Sequence, residues 1–232
     1  TGAAAQFFQP KAAEALYDLD SDPNEVRNLA SDPQYADQLS ELRDQLDDRL
    51  KSLPDLSFLT EAVMVDSALN NPTAYGQSHS AQITAYIDTV NLALRPAPEA
   101  LPKLAAALER DDEKDAWVRY WALVACSTMG EEAKPLIPAI EKLLLDREPL
   151  VVVRAVEYLA IHSDVDTLPY LYRSLQRATN EPALLRMFNT IDYLRDFHDY
   201  EVDPDKFQYL PGMVIEPKGE LNRRLLYLKG EL

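Results

Sequence analysis

The chain has 232 residues, 47% of them apolar and 27% charged, with a formal net charge of −16. That length and apolar content can bury a full core, which excludes a wholly disordered chain. The acidic balance excludes recognition of a phosphate backbone, because such affinity comes from Lys and Arg releasing counterions and no basic stripe with interleaved aromatics occurs; the acid excess, −9 of it within residues 1–66, reads as a solubility device.

The first element expected is a short strand. Leu16, Tyr17 and Leu19 lie within Glu14–Leu19, a brief run with strand-forming residues, and Asp20-Ser21-Asp22-Pro23 supplies side-chain oxygens and a fixed φ that break it into a turn. Asn24 to Leu29 then reads as one helical turn, with Glu25 where the macrodipole favours an acid, and Ser31-Asp32-Pro33 opens a second helix. Residues 34–53 form the clearest amphipathic helix of the chain. Tyr35, Leu39, Leu42, Leu46, Leu50 and Leu53 recur at spacings of three and four, so that stripe is expected to face a core, and Pro54 marks where the helix stops. From Asp55 to Gln82 the pattern decays into an Asn-, Ser- and Pro-containing stretch that reads as a linker over residues 55–82.

After Ile83 the chain repeats. Leu/Ile-Pro, an apolar helix, a polar break and a second apolar helix containing Arg recur three times, with Pro102, Pro138 and Pro169 opening the segments and Arg119, Arg154 and Arg186 in their second halves. A period of about thirty to forty residues signals a helical solenoid, in which no pair of helices can bury its apolar face alone. Glu113, Glu148 and Asn180 stand six residues before the three arginines, and this arrangement resembles the Asp/Glu and Arg ladder of HEAT repeats. Residues 83–196 are therefore expected to be HEAT-like, including a leading helix from Ile83 to Leu94. Trp117, Trp121, Val124, Val152, Val156 and Leu159 are expected mostly buried between repeats. Residues 197–232 read as a C-terminal strap, with a hairpin around Pro211-Gly212 and a last helix from Leu221 to Leu228 ended by Gly230.

Few residues carry chemistry. Cys126, the chain's one cysteine, lies in an apolar helical run and reads as a small buried residue. His79, His162 and His198 lie far apart with no ligand spacing, and the alternating Asp18, Asp20 and Asp22 lack the Gly and distant bidentate acid of an EF-type loop, so no metal site is expected. Arg119, Arg154 and Arg186 could grip sulfate groups bidentately on a concave surface, although arginines in a stacked-helix array more often pair with an acid of the same or adjoining repeat. His79, beside Tyr75 and Gln77 in the linker, is the best lone candidate for reaching a substrate; an exposed loop histidine is usually nothing more. His79, Tyr75, Arg119 and Arg154 are thus the substrate-binding candidates.

The order Leu16-Tyr17-Asp18-Leu19, an Asp-Ser-Asp-Pro turn, Glu25-Val26 and Asn28-Leu29-Ala30 resembles the signature that closes the catalytic region of type I sulfatases, and Gln6-Phe7-Phe8-Gln9-Pro10-Lys11 resembles the loop entering that strand in bacterial enzymes of the arylsulfatase and N-sulfoglucosamine sulfohydrolase branch. Asp55 to Ala62 and Asn71 to Tyr75 are loosely similar to segments that follow the family's final helix. Ala12, Ala15 and Arg27 depart from the usual Pro, Glu and Asn.

The resemblance covers about the first 66 residues and implies that residues 1–54 end a sulfatase C-terminal subdomain; with the repeats that follow, the chain is expected to be mostly α, a HEAT-like solenoid preceded by a short strand and helix. It also implies a catalytic domain upstream that carries the formylglycine and the calcium-binding acids. The formylglycine is made from Cys or Ser in Cys/Ser-x-Pro/Ala-x-Arg, and Cys126 is followed by Ser127, Thr128 and Met129, so no catalytic residue and no cofactor is expected in this chain. The opening Thr-Gly-Ala, in mid-pattern and without an initiator Met, leads to the expectation of a fragment. Its partner would be the upstream catalytic domain, with a homo-oligomer interface a further role for the repeats. A typical bacterial parent would be periplasmic or secreted. The alternative is a free-standing HEAT-like scaffold that binds a protein; no nucleic acid partner and no membrane span are expected.

Overall fold

The computed structural model describes residues 11–112, 115–210 and 216–231. Two compact units divide the chain, Thr1–Leu53 and Pro54–Leu232. Among the described residues it is mostly helical and contains no strand.

In the first unit the turn forms where its chemistry dictates. The Asp18 carboxylate accepts from the Asp20 amide at 3.1 Å and from Ser21 Oγ at 2.8 Å, and the Asp22 amide donates to the Asp18 carbonyl at 2.7 Å. The Ser21 hydroxyl holds the Asp18 carboxyl below its ordinary value. The helical turn expected over Asn24–Leu29 does not form. Asp22 Oδ2 captures the Arg27 amide at 2.8 Å, and Glu25 takes φ +53°, a left-handed conformation that interrupts a right-handed helix. Nor is the expected strand seen at Glu14–Leu19. A ladder needs a partner's backbone, whereas here the Asn28 side chain stands in for one: Oδ1 accepts from the Leu16 amide and Nδ2 donates to the Glu14 carbonyl, both at 3.0 Å, and Leu29 adds one backbone bond to the Leu16 carbonyl at 2.8 Å.

Asp32 and Pro33 then start a helix as their types favour. Asp32 Oδ1 accepts from the Gln34 amide at 3.0 Å, a 3-10 turn covers Pro33–Tyr35, and α1 runs Ala36–Ser52. Arg43 ties α1 to the preceding segment through a bidentate pair with Glu14, 2.7 and 2.6 Å. Among the described residues of its own unit the leucine stripe of α1 meets no buried core, although Tyr35, Leu39 and Leu50 are half-buried. Leu42, Leu46 and Leu53 are 43%, 59% and 54% exposed, and Leu29 is the buried apolar residue among those described in this unit. Helical period made the stripe, but a core also needs an opposing apolar surface, and residues 11–35 are spent on turns.

The second unit begins with the stretch 55–82, which is not a bare linker. It holds a 3-10 turn at Leu56–Phe58, a helical turn at Glu61–Val63, a π turn at Met64–Ala68 and α2 at Pro72–Ser78, and Leu59, Ala62 and Ala68 are buried. Helix caps explain why a polar stretch is ordered. Asp55, Thr60 and Asn71 each accept from a backbone amide at a helix start.

Then follow α3 Ser80–Val90, α4 Ala97–Leu108, α5 Ala116–Met129, α6 Ile137–Lys142, α7 Pro149–His162, α8 Leu168–Leu175, α9 Glu181–His198 and α10 Glu220–Leu228. Helices α3, α5, α7, α9 and α10 each pack on the next in that order, and α4, α6 and α8 each pack on the second helix of their own pair. This is a solenoid-like arrangement. Its core is made of side chains such as Leu104, Leu123, Leu159, Leu184 and Phe188, all at 0% exposure. Cys126 belongs to it, with burial pushing its thiol up to about 12. At the far end Leu221, Leu225 and Leu228 of α10 are buried, and Gly230 follows at φ +69°, the conformation that ends many helices. The hairpin expected around Pro211-Gly212 lies outside the described residues.

Burial of the second helices is uneven. Val152, Val156 and Leu159 are buried, whereas Trp117, Trp121 and Val124 are only half-buried. Trp121 instead reaches residues 56–58: its ring lies 5.3 Å from that of Phe58, and Nε1 donates to the Phe58 carbonyl at 2.9 Å. Trp121→Phe should therefore cost about 1 kcal/mol for the lost hydrogen bond, and Trp121→Ala about 1–3 kcal/mol, below the range for a fully enclosed ring. Thermal melts read both, and a Trp121→Ala chain as stable as its parent would show that this contact contributes nothing.

Candidate functional site

The four candidates fall into two places. Asn71 and Pro72 start α2, which sets Tyr75 and His79 four residues apart on one helical face. Their rings stack at 3.9 Å and 8°, and His79 Nδ1 lies 2.9 Å from the Tyr75 carbonyl and 3.0 Å from Ser78 Oγ. His79 is thus not an exposed loop residue but a half-buried joint between α2 and α3. Burial raises the Tyr75 hydroxyl above its ordinary value.

Arg119 and Arg154 sit in the second helices. Arg119 is buried with four of its five N–H donors engaged: Nε and Nη2 bond Asp146 at 2.6 and 3.0 Å, while Nη1 donates to the carbonyls of Arg110 and Asp112 at 2.9 and 3.0 Å. That geometry leaves no donor pair for a sulfate. Arg154 bonds Glu157 at 2.8 Å and the Tyr120 hydroxyl at 2.7 Å, and its guanidinium lies 4.9 Å from the Tyr120 ring centre. Burial pulls its protonation down, but the Glu157 charge and Tyr120 outweigh this and raise it overall. Glu157 also binds Arg186 at 2.6 Å and Thr190 at 2.8 Å, so one carboxylate joins α7 to α9. Among the described residues, no hydrogen bond, ion pair or ring contact joins the Tyr75 and His79 pair to either arginine.

Two of the residues expected to ladder with the arginines do something else. Glu148 accepts from the Leu150 amide at 3.1 Å and Asn180 from the Ala183 amide at 3.0 Å, so both are helix caps, and Glu113 lies outside the described residues. The real partners are Asp146 and Glu157. A fixed offset in sequence could not find them, because Asp146 comes from the turn 27 residues after Arg119 and belongs to the adjoining repeat. Two cavities flank this framework. One, of about 520 Å³, is walled by Arg110, Arg119, Lys142, Asp146 and Arg147; the other, of about 240 Å³, by Asp66, Trp117, Glu148 and Thr179. Burial raises the Glu148 carboxyl above its ordinary value. Among the described residues no group of three or more His, Cys, Asp or Glu is placed to hold a metal ion, and no helix is long and apolar enough to cross a membrane.

Comparison with known proteins gives one informative result. Over 64 residues, 28% of this chain, the sequence is 39% identical to an "Ulvan-active sulfatase" of Formosa agariphila, and the match covers 11% of that protein. Part of the chain is therefore similar to part of a sulfatase. No family model matches the chain, and no solved structure matches it.

Proposed function

We propose that this chain is the non-catalytic C-terminal portion of a sulfatase, a sulfuric ester hydrolase whose catalytic domain lies upstream. The observation that carries this reading is the 39% identity over 64 residues, a length close to that of the stretch bearing the Leu-Tyr-Asp-Leu signature. The helices from Ile83 onward would be HEAT-like repeats that shape the rim of the catalytic cleft or an oligomer interface. Arg119 and Arg154 support an architectural role, since both are committed to contacts within the chain.

Calcium and formylglycine belong, on this reading, to the upstream domain. The 232 residues by themselves should then give no turnover of an aryl sulfate, measured by release of the phenol. Turnover that survives repurification of the verified chain would overturn the proposal. Sequence immediately upstream is the second test: a Cys/Ser-x-Pro/Ala-x-Arg motif several hundred residues earlier is expected, and its absence there would favour the free-standing scaffold instead.

A further inference from the structure

The smaller of the two cavities beside the arginine framework has a chemistry of its own. The starts of three successive second helices, α5, α7 and α9, border it on one side, and residues 62–67 border it on the other. Two side chains hold that segment in place. Asn180 Nδ2 donates to the Ala62 carbonyl at 3.0 Å, and Thr179 Oγ1 donates to Asp66 Oδ2 at 3.5 Å. The space between measures about 240 Å³, enough for several groups the size of a water molecule, each of which takes about 30 Å³ in the liquid.

Its charge is one-sided. Asp66 and Glu148 both border the cavity, and among the described residues no Lys, Arg or His does. Glu148 accepts from the Leu150 amide and Asp66 from the Thr179 hydroxyl, but no ion pair joins either acid to a described residue. Arg119 and Arg177, the cations that act on Glu148, are turned to Asp146, Arg119 to its carboxylate and Arg177 Nη1 to its carbonyl at 2.9 Å. Burial outweighs both and raises the Glu148 carboxyl above its ordinary value. Capping accounts for Glu148, since a helix start favours an acid, yet Asp66 caps none of the three helices. Trp117 adds an aromatic wall, its ring meeting Tyr120 edge-on at 5.6 Å. Carboxylates without counter-ions beside an indole repel an anion and attract an ammonium group.

We propose that this cavity binds a primary ammonium group carried on a short alkyl chain: Asp66 and Glu148 accept its hydrogen bonds, Trp117 meets its charge, and Ala62 and Leu150 flank the alkyl chain. A net charge of −16 raises the concentration of such a cation near the surface. The site stands whether or not the chain belongs to a sulfatase, because every residue it uses lies in the helical unit.

Heteronuclear NMR of the whole chain, titrated with n-butylammonium chloride at fixed ionic strength, tests this. The chain has two tryptophans, so two indole N–H signals report on it, and Trp117→Leu assigns them. A saturable shift of the Trp117 signal is expected, with little change at Trp121, whose Nε1 is held by the Phe58 carbonyl. Glu148→Gln keeps an oxygen for the Leu150 amide, and Asp66→Asn changes an exposed residue, so neither should unfold the unit. Each should weaken binding about tenfold, the loss of one charged hydrogen-bond acceptor. The neutral n-butanol should give no saturable shift, and tetramethylammonium, which donates no hydrogen bond, should bind at least tenfold more weakly than n-butylammonium. No saturable shift with n-butylammonium, an equal response to n-butanol, tetramethylammonium bound as tightly, or unchanged affinity in either carboxylate variant would each overturn the proposal. Lys114→Ala should leave the affinity unchanged; a tenfold rise would overturn the proposal by making the chain's own amine the occupant.

Discussion

Replacing Asp146 with Ala is expected to destabilise the second unit by about 3–5 kcal/mol, the usual consequence of removing one partner of a buried ion pair. The Arg119 and Asp146 side chains are 6% and 4% exposed. Without the carboxylate, a guanidinium charge would stay inside the protein with only the Arg110 and Asp112 carbonyls as acceptors. Asp146 Oδ1 also accepts from the Glu148 amide at 2.8 Å, so the turn into α7 would loosen as well. The double variant Arg119→Met with Asp146→Leu separates charge from packing. It should recover most of the loss, because replacing both members of a buried pair with apolar groups is often near neutral. Denaturant unfolding measures each. A single Asp146→Ala variant that unfolds at the parental midpoint would show that the pair is not enclosed as described.

Phe188→Ala should cost a similar amount, about 3–5 kcal/mol, for a different reason. Phe188 in α9 is 0% exposed, and its ring meets that of Phe207 edge-on at 5.8 Å. Truncation there leaves a cavity at the place where the 3-10 turn Pro204–Tyr209 joins the last repeat. A control on the surface sharpens the comparison. Leu46→Ala in α1 removes a side chain that is 59% exposed and should change the stability of the chain by less than about 0.5 kcal/mol. Equal losses at Phe188 and Leu46 would contradict the burial pattern on which both expectations stand.

Local chemistry was readable where it acts over a few residues. Asp32-Pro33 starts a helix, and Gly230 ends one, because capping oxygens and fixed or positive φ angles work within one turn. The spacing of Pro102, Pro138 and Pro169 likewise announced paired helices, since a repeating apolar period survives in any register of packing. The same reasoning failed at Asn24–Leu29, where Asp22 competes for the Arg27 amide, and at Glu14–Leu19, where among the described residues the Asn28 side chain takes two of the bonds a strand would have made. Each outcome depended on a second residue that propensity does not count.

What the sequence by itself determined is therefore the paired helices, the helix start at Asp32-Pro33, the helix end at Gly230 and the absence of a nucleophile in a Cys/Ser-x-Pro/Ala-x-Arg setting. The tertiary structure alone decided which acid meets which arginine, that residues 55–82 join the helical unit, and that Leu42 and Leu46 of α1 stay exposed. The physical reason is range. Caps and periodicity are set by neighbours in sequence, whereas an ion pair such as Arg119 with Asp146, or Trp121 with the Phe58 carbonyl 63 residues away, exists only once helices have packed.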